Sequence, residues 1–323
     1  MIVVTGGAGF IGSAFVAKLN AEGINDIIVV DALGKSDKWK NLVKRRYVDY
    51  LHKGVFLAMV EADRVPFPVE AIVHMGACSS TTERDADYLM ENNFHYTGLL
   101  AEWALAHGCR FIYASSAATY GDGSQGFSDA DEATGTLRPI NMYGYSKQLF
   151  DLRVLREGIA GRVAGVKFFN VFGPNEYHKG DMTSVIFKAF HQIRETGRVR
   201  LFKSYRPEYP DGGQMRDFVY VKECAEVLWW LLSHRAANGI FNLGTGRART
   251  WNDLIAAVFS AMKLSPVIDY VEMPEAIRGQ YQYFTEANLE KLRAAGCPAV
   301  FRPLEESVAD YVQVHLCNPD PYL

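Results

Sequence analysis

Three glycines at three-residue spacing, Gly6, Gly9 and Gly12, follow the run Ile2-Val3-Val4-Thr5 and lead into an apolar helical pattern that starts at Phe10. A β-branched apolar run of this length reads as a buried strand. Strand, glycine turn and helix in that order is the local context of a phosphate-binding turn. Gly6 permits the tight turn, Gly9 lets a pyrophosphate approach the backbone, and Gly12 lets the helix lie close on the strand. The helix start adds unpaired N–H groups and a partial positive charge. GxxGxxG by itself also describes a purely structural turn. The flanking strand and helix, and Asp31 at the end of a second strand, point instead to a bound dinucleotide.

The chain has 323 residues, 49% of them hydrophobic, enough for one large domain or two of ordinary size. A formal net charge of −3 with 22% charged residues gives no support to a nucleic-acid surface or an anionic-membrane surface. The five cysteines (Cys78, Cys109, Cys224, Cys297, Cys317) are odd in number and form no CxxC pair, so reduced, mostly buried thiols are expected, and no metal site. No apolar run approaches the ~18 residues of a membrane span. The first residues open directly into a strand without the basic start of a signal peptide. Together these features predict a cytoplasmic protein.

Along the chain, Phe10 to Ala21 reads as a helix and Asp26 to Asp31 as the second strand. Asp31 lies where an acidic residue bonds an adenosine ribose, which favours NAD. The cluster Lys35, Lys38, Lys40, Lys44, Arg45 and Arg46 follows. It reads either as a site for a 2′-phosphate, favouring NADP, or as a solvated helix face, and spacing leaves both open. Val55 to Val60 and Ala71 to Met75 read as the third and fourth strands, with His74 as a packed core residue. Glu83 to His107 is a long helical pattern in which Asn92 and Asn93 face either solvent or cofactor. Arg110 to Ala114 is the fifth strand, ending at Ser115-Ser116; Pro139 to Glu157 holds a helix, and Gly165 to Phe169 is the sixth strand. This alternation predicts an α/β fold, a Rossmann-type doubly wound parallel sheet.

After Asn170 the rhythm breaks. A loop-rich run leads to a helix near Thr183 to Thr196, a short strand VRLF (199–202) and a polar loop from Lys203 to Arg216. Phe218 to Val221 and Gly239 to Leu243 read as further sheet strands with a helix between them. The expected division is a dinucleotide-binding domain of residues 1–170 and 218–243, and a smaller discontinuous α+β substrate domain of residues 171–217 and 244–323. The substrate cleft lies between them.

Tyr143 and Lys147 are spaced i,i+4 and so share one helical face. Ser115 and Ser116 sit at the C-terminal end of a parallel strand. This set suits proton transfer at an alcohol. A free phenol titrates near ~10, and a neighbouring ammonium stabilises the phenolate. Tyr143 then takes the hydroxyl proton as hydride leaves the carbon, and Ser116 bonds the same oxygen. A Tyr-x-x-x-Lys pair alone is usually an ordinary surface helix. Its weight here comes from the glycine turn and the strand-end serines.

On TGGAGFIG (5–12), YASSAATYG (113–121), Tyr143-Gly-Tyr-Ser-Lys147 and FFNVFGP (168–174), the chain resembles the extended short-chain dehydrogenase/reductase (NAD-dependent epimerase/dehydratase) family. HMGACSSTTE (74–83), NVFGPNEYHKGDM (170–182), MRDFVYV (215–221), FNLGTGRA (241–248) and RGQYQYFTEANL (278–289) narrow the resemblance to members that epimerise an ADP-linked heptose at C6″ for the lipopolysaccharide inner core. The resemblance implies Tyr143 as acid or base, Lys147 as its support, Ser116 on the reacting oxygen and Lys179 as a second proton-transfer group. It adds to Gly6, Gly9, Gly12 and Asp31 a cofactor set of Phe10, Ile11, Ala32, Lys38, Lys53, Met75, Gly76, Ala77, Cys78, Ser79, Asn92, Lys147, Val171 and Lys179. It implies substrate contacts from Ser116, Asn170, Asp181, Lys188, Phe202, Lys203, Ser204, Tyr205, Arg216 and Tyr281. It further implies NADP held by Lys38 and Lys53, a nucleotide-sugar substrate and a homopentamer. Ala32, Asp181 and Lys188 stand where the pattern leads one to expect Asn, a small hydroxyl residue and His.

The implied reaction oxidises the sugar carbon, turns the ketone over and reduces its other face, so Tyr143 and Lys179 would serve opposite sides. For Lys179 the other reading is a diphosphate-binding cation. A 4,6-dehydratase would carry an acidic pair after the strand-end hydroxyl, whereas Ser116 is followed by Ala117-Ala118. The alternatives are an epimerase acting at another carbon, such as C4, and a non-catalytic NADPH-binding protein.

Overall fold

β1 (Ile2–Thr5) is buried along its whole length, which is why it reads as an unbroken apolar run. The computed structural model describes residues 1–278 and 281–323. Gly279 and Gln280 of the 278–289 stretch lie outside the described residues.

The first half runs α1 (Phe10–Ala21), β2 (Ile27–Asp31), β3 (Asp49–His52), α2 (Lys53–Glu61), β4 (Ala71–His74) and the short α3 (Ala86–Leu89). A six-residue π turn, Met90–His95, then runs into α4 (Tyr96–Ala106). β5 (Arg110–Ser116), the short α5 (Asp131–Thr134), α6 (Met142–Arg156) and β6 (Val163–Phe168) follow. The second half holds β7 (Asn170–Phe172), α7 (Val185–Thr196), β8 (Val199–Phe202), β9 (Met215–Tyr220), α8 (Val221–Ser233), β10 (Gly239–Leu243), β11 (Ala248–Thr250), α9 (Trp251–Ala261) and β12 (Ile268–Val271).

Seven strands form one parallel sheet in the order β10-β6-β5-β4-β1-β2-β3. Alternate residues feed opposite faces. Val4, Val29, Val73 and Ile112 pack with Phe15 of α1 and Leu228 of α8, whereas Val3, Ile28, Ile72 and Phe111 pack with Leu100 of α4 and Phe150 of α6. The strand order reverses between β1 and β4. Ligands of such sheets bind in the crevice outside the strand ends at that point. A three-stranded sheet, β11-β9-β7, and a parallel pair, β12-β8, lie beyond it. Their own core includes Phe190, Phe218, Leu254 and Val258.

Two strand expectations are corrected. Val55–Val60 is not the third strand but lies within α2, with Phe56 and Val60 buried and Val55 exposed. That is a helical i,i+4 face. The third strand is the more polar β3, an edge strand paired only with β2. Phe218–Tyr220 belongs to β9, which pairs with β7 and β11 rather than joining the seven-stranded sheet, and Val221 opens α8. The other helices and strands that the periodicity bounds fall within a few residues of their expected ends, whereas β7 lies in the run read as loop-rich. Among the described residues, no helix is long and apolar enough to cross a membrane.

Candidate active site

The turn between β1 and α1 lies against the segment that leaves β4. Gly6 has φ 63°, and a Cβ there would come within 2.6 Å of Gly76 Cα. A Cβ on Gly12 would sit 2.1 Å from the Gly6 carbonyl oxygen. Only glycine allows both approaches. The outcome is a cradle of bare backbone at the start of α1, open to a cavity of about 640 Å³.

Gly6, Gly9, Phe10, Ile11 and Gly12 line that cavity, with Asp31 and Lys38 at one end and Met75 to Ser79 along one wall. Ser116, Tyr143 and Lys147 line it from β5 and α6. Asn170, Val171 and Lys179 close it from the side of the small sheet. All four residues assigned to proton transfer therefore meet in one space. Among the described residues, no cluster of His, Cys, Asp or Glu could hold a metal ion.

Asp31 is already well supplied with donors. Its Oδ2 accepts the Ala8 N–H at 2.9 Å, and its Oδ1 accepts the Ala32 N–H at 2.7 Å and Lys38 Nζ at 2.9 Å. Lys38 also donates to the Ala32 carbonyl at 3.3 Å. Of the basic cluster, this lysine alone lines the cavity. Ala32, Lys53 and Asn92 do not. Lys53 Nζ instead donates to Asn92 Oδ1 at 2.5 Å, and Asn92 donates to Asn93 at 3.0 Å. Asn93 is buried and holds the backbone of Cys78.

Asn141 caps α6 by accepting the Gly144 N–H at 2.8 Å. Burial pushes the Tyr143 phenol above its ordinary pKa, and a hydrogen bond with Ser116 pulls it back. The ammonium of Lys147 was expected to do the lowering. In the chain alone Lys147 is turned to β5, where Nζ donates to the Ala114 carbonyl at 2.8 Å. Burial lowers Lys147 itself to about 8, while Asp151 raises it. Lys179 stands on the 3-10 turn Tyr177–Met182, kinked at Gly180, with Nζ 5.1 Å from the centre of the Phe10 ring. Burial lowers its pKa, Glu176 raises it and Lys188 lowers it again.

The substrate set divides. Ser116 and Asn170 line the cavity; Asp181 and Lys188 lie outside its lining, with Lys188 Nζ donating to the Asp181 carbonyl at 2.6 Å. Arg216 is buried 5.8 Å from the Trp251 ring centre and 5.3 Å from that of Tyr281. Trp251 lines the cavity and donates to the Tyr281 hydroxyl at 2.9 Å. Arg216 and Tyr281 thus adjoin a cavity wall without forming it. Phe202 ends β8, and Lys203, Ser204 and Tyr205 are tied to Glu272, Asp211 and Tyr283.

Sequence reasoning missed His178 and Trp251 as lining residues. His178 stands beside Lys179 in the HKG stretch, and burial with Lys38 and Lys179 nearby lowers it to about 4. Adjacency to Lys179 was the available signal. For Trp251 the sequence carries none, because its place depends on a non-local contact of its ring with Phe218 of β9.

Residues 2–244 match the NAD dependent epimerase/dehydratase family. The chain is 62% identical over 323 residues, all of both chains, to the ADP-L-glycero-D-manno-heptose-6-epimerase of Nitratidesulfovibrio vulgaris strain DP4. It is 47% identical over 332 residues, again all of both, to the protein of that name in Fusobacterium nucleatum. A crystal structure of the Helicobacter pylori enzyme of that name shares the fold, with a TM-score of 0.81 at 24% identity over 97% of this chain and 95% of that one. UDP-glucose 4-epimerase of Thermus thermophilus, solved with NAD, gives 0.75 at 25% identity over 97% and 98%. A glycine cradle at the sheet's switch point, a Tyr-x-x-x-Lys pair on the helix between β5 and β6, and full-length relatives of one kind agree: this chain belongs to the NAD dependent epimerase/dehydratase family.

Proposed function

We infer that this chain inverts C6″ of ADP-D-glycero-D-manno-heptose to give ADP-L-glycero-D-manno-heptose. The observation that carries the reading is the meeting of Ser116, Tyr143, Lys147 and Lys179 in one cavity with the glycine cradle. Relatives at 62% and 47% identity over full length carry that enzyme's name. The bare backbone at the start of α1 fits a dinucleotide pyrophosphate: side chains at Gly6 and Gly12 would strike the backbone of Gly76 and Gly6, so the tight turn that exposes the helix N-terminus to the cavity requires glycine. Gly6, Gly9, Phe10, Ile11 and the 75–79 wall would hold it, with Asp31 and Lys38 at the adenosine end. When bound, the nicotinamide supplies a two-electron acceptor and donor.

The protein's own work is proton management. Tyr143 takes the proton of the C6″ hydroxyl, oriented by Ser116, and the carbon becomes a transient ketone. Lys147 holds positive charge beside the phenol, favouring phenolate. Inversion requires the ketone to present its other face, where Lys179 returns the proton. A lysine can do this because burial weakens its hold on the proton. The cycle ends with no net redox change, and Tyr143, now protonated, and Lys179, now neutral, exchange protons with solvent before the next turnover.

We further propose NADP rather than NAD, from Lys38 at the cavity end; NAD-bound neighbours on the same fold keep NAD as the alternative. The seven-stranded sheet and its helices serve the cofactor, and the two smaller sheets serve the nucleotide sugar. A cytoplasmic homopentamer supplying lipopolysaccharide inner-core heptose is the assembly and setting this reading carries. Incubating the purified protein with ADP-D-glycero-D-manno-heptose, without added cofactor, and following the diastereomers by NMR tests the reaction. Conversion is expected from the holoprotein. No conversion by holoprotein, or inversion at C4 of another nucleotide sugar instead, overturns the reading.

A further inference from the structure

α6 carries a buried carboxylate beneath its catalytic face. Asp151 lies four residues after Lys147, one turn along the same face. It is fully buried, and its carboxylate accepts three donors. Tyr113 OH reaches Oδ1 at 2.9 Å, Ser115 Oγ reaches Oδ2 at 2.7 Å, and Lys167 Nζ reaches Oδ2 at 2.8 Å. Lys167, on β6, is also fully buried, donates to Thr119 Oγ1 at 2.8 Å and sits 5.1 Å from the Tyr120 ring centre. An ion pair with no exposure on either side gives little net stability and is costly to break from one side. Nothing in the proton transfers described above uses it.

Its connections are to the reaction centre. Tyr113 and Ser115 flank Ala114, whose carbonyl takes the Lys147 ammonium, and Ser116 follows directly. One carboxylate therefore ties α6 to the last residues of β5, between which Tyr143, Lys147 and Ser116 must keep register. We propose that the buried Asp151–Lys167 pair is a positioning device for the epimerisation: it locks the Tyr143–Lys147 face of α6 to the C-terminal end of β5, with the Asp151 carboxylate one helical turn from the Lys147 amine.

The role of that carboxylate follows from what surrounds Lys147. On its own helix are Tyr143 and Asp151. From β4 comes His74, held neutral by burial, and from the next segment Cys78. From β5 comes only the Ala114 carbonyl, and Lys167 on β6 reaches Asp151 rather than Lys147. Among the described residues, Asp151 is the carboxylate that acts on this buried amine, against a desolvation that favours its neutral form.

The inference rests on Tyr143 and Lys147 acting as proposed above. The test is the pH profile of kcat for Asp151→Asn, with the double variant Asp151→Asn/Lys167→Met. The double variant removes the Lys167 ammonium together with its carboxylate partner, and it carries the positioning part of the test if the single one does not fold. Lys147 must stay protonated, so losing Asp151 should move the alkaline limb of the profile to lower pH by about one unit. At pH 8.5 kcat should fall about tenfold with KM changed less than twofold, and the loss should shrink at pH 6.5. The pH dependence of Lys147 acetylation, read by peptide mass spectrometry, should shift the same way without reference to turnover. Asp151→Glu should recover part of the limb. A limb and acetylation midpoint unchanged in the variants, with only thermal stability reduced, would overturn the proposal, as would a shift to higher pH. A wild-type protein that converts no substrate at any pH instead fails the underlying reading, and the acetylation arm still decides the inference.

Discussion

Asn93 grips both backbone polar groups of Cys78. Its Oδ1 accepts the Cys78 N–H at 2.8 Å, and its Nδ2 donates to the Cys78 carbonyl at 2.9 Å. The same Nδ2 reaches Ser146 Oγ at 3.1 Å, next to Lys147. One buried carboxamide thus fixes the 75–79 wall of the cavity and ties it to the catalytic helix. Asn93→Ala leaves those groups without partners, at ~1–3 kcal/mol for each buried group left unpaired. Cofactor affinity measured by calorimetry should fall about tenfold or more. An affinity equal to wild type would mean that the wall holds its shape unaided.

Lys38 should decide between the two nicotinamide dinucleotides. A charge-assisted hydrogen bond to a phosphate is worth about 1.5–3 kcal/mol, or roughly ten- to a hundredfold in affinity. Lys38→Ala should weaken NADP+ binding by about that factor and alter NAD+ binding less than threefold. Equal weakening of both would show that Lys38 serves the fold through Asp31 rather than the 2′-phosphate.

Tyr143→Phe removes the acid–base group while keeping the ring. Epimerisation should fall by about 10²–10⁴-fold, the usual share of general acid–base catalysis, with cofactor affinity little changed. Lys179→Met should lower kcat comparably if it is the second proton-transfer group. Should it raise KM and spare kcat, Lys179 binds the diphosphate and the two-sided scheme is wrong.

The fold should weaken in mild acid, in part through His74. Thr97 OH donates to the Asn93 carbonyl, so Thr97 Oγ1 accepts from His74 Nε2, and Nδ1 accepts from Thr5 OH. That pattern needs a neutral ring, and burial lowers His74 to about 3. Between pH 6.5 and about 3 the unfolded chain binds a proton at this residue that the folded chain refuses. Stability therefore rises with pH across that window and is level above it, by at most about 1.4 kcal/mol per pH unit for one histidine. His178, lowered to about 4, adds in the same direction. Urea unfolding from pH 7 to 4.5 should show the loss, and His74→Gln should start lower at pH 7 and fall less steeply.

What could be read without coordinates was what depends on short spacings. Gly6, Gly9 and Gly12 report one turn, and Tyr143 and Lys147 one helical face. Val55–Val60 was misread because six mostly apolar residues suit a buried strand as well as a short helix, and only burial separates Phe56 and Val60 from exposed Val55. β9 was legible as a strand, but its sheet was not, since pairing with β7 and β11 is non-local. The substrate set came from resemblance alone. Its departure from the cavity lining at Asp181, Lys188 and residues 202–205 reflects where tertiary contacts place a 3-10 turn, the start of α7 and the end of β8 with the loop after it, which local pattern does not fix. Asp151 and Lys167 escaped notice because charged residues in a helix and a strand ordinarily face water.

The π turn at Met90–His95 inserts one residue into an otherwise α-helical stretch. Downstream, α4 is anchored by Leu100, Ala101 and Ala104 in the core. Loss of one residue inside the turn would let the stretch close into a regular α-helix, and the residues of the wide turn, Asn93 among them, would lose the directions it gives them. Asn93 would swing away from Cys78 although no side chain had been changed. In this chain the phase of one helix is a functional coordinate, and gain or loss of a single residue there acts on the cofactor wall as a substitution would.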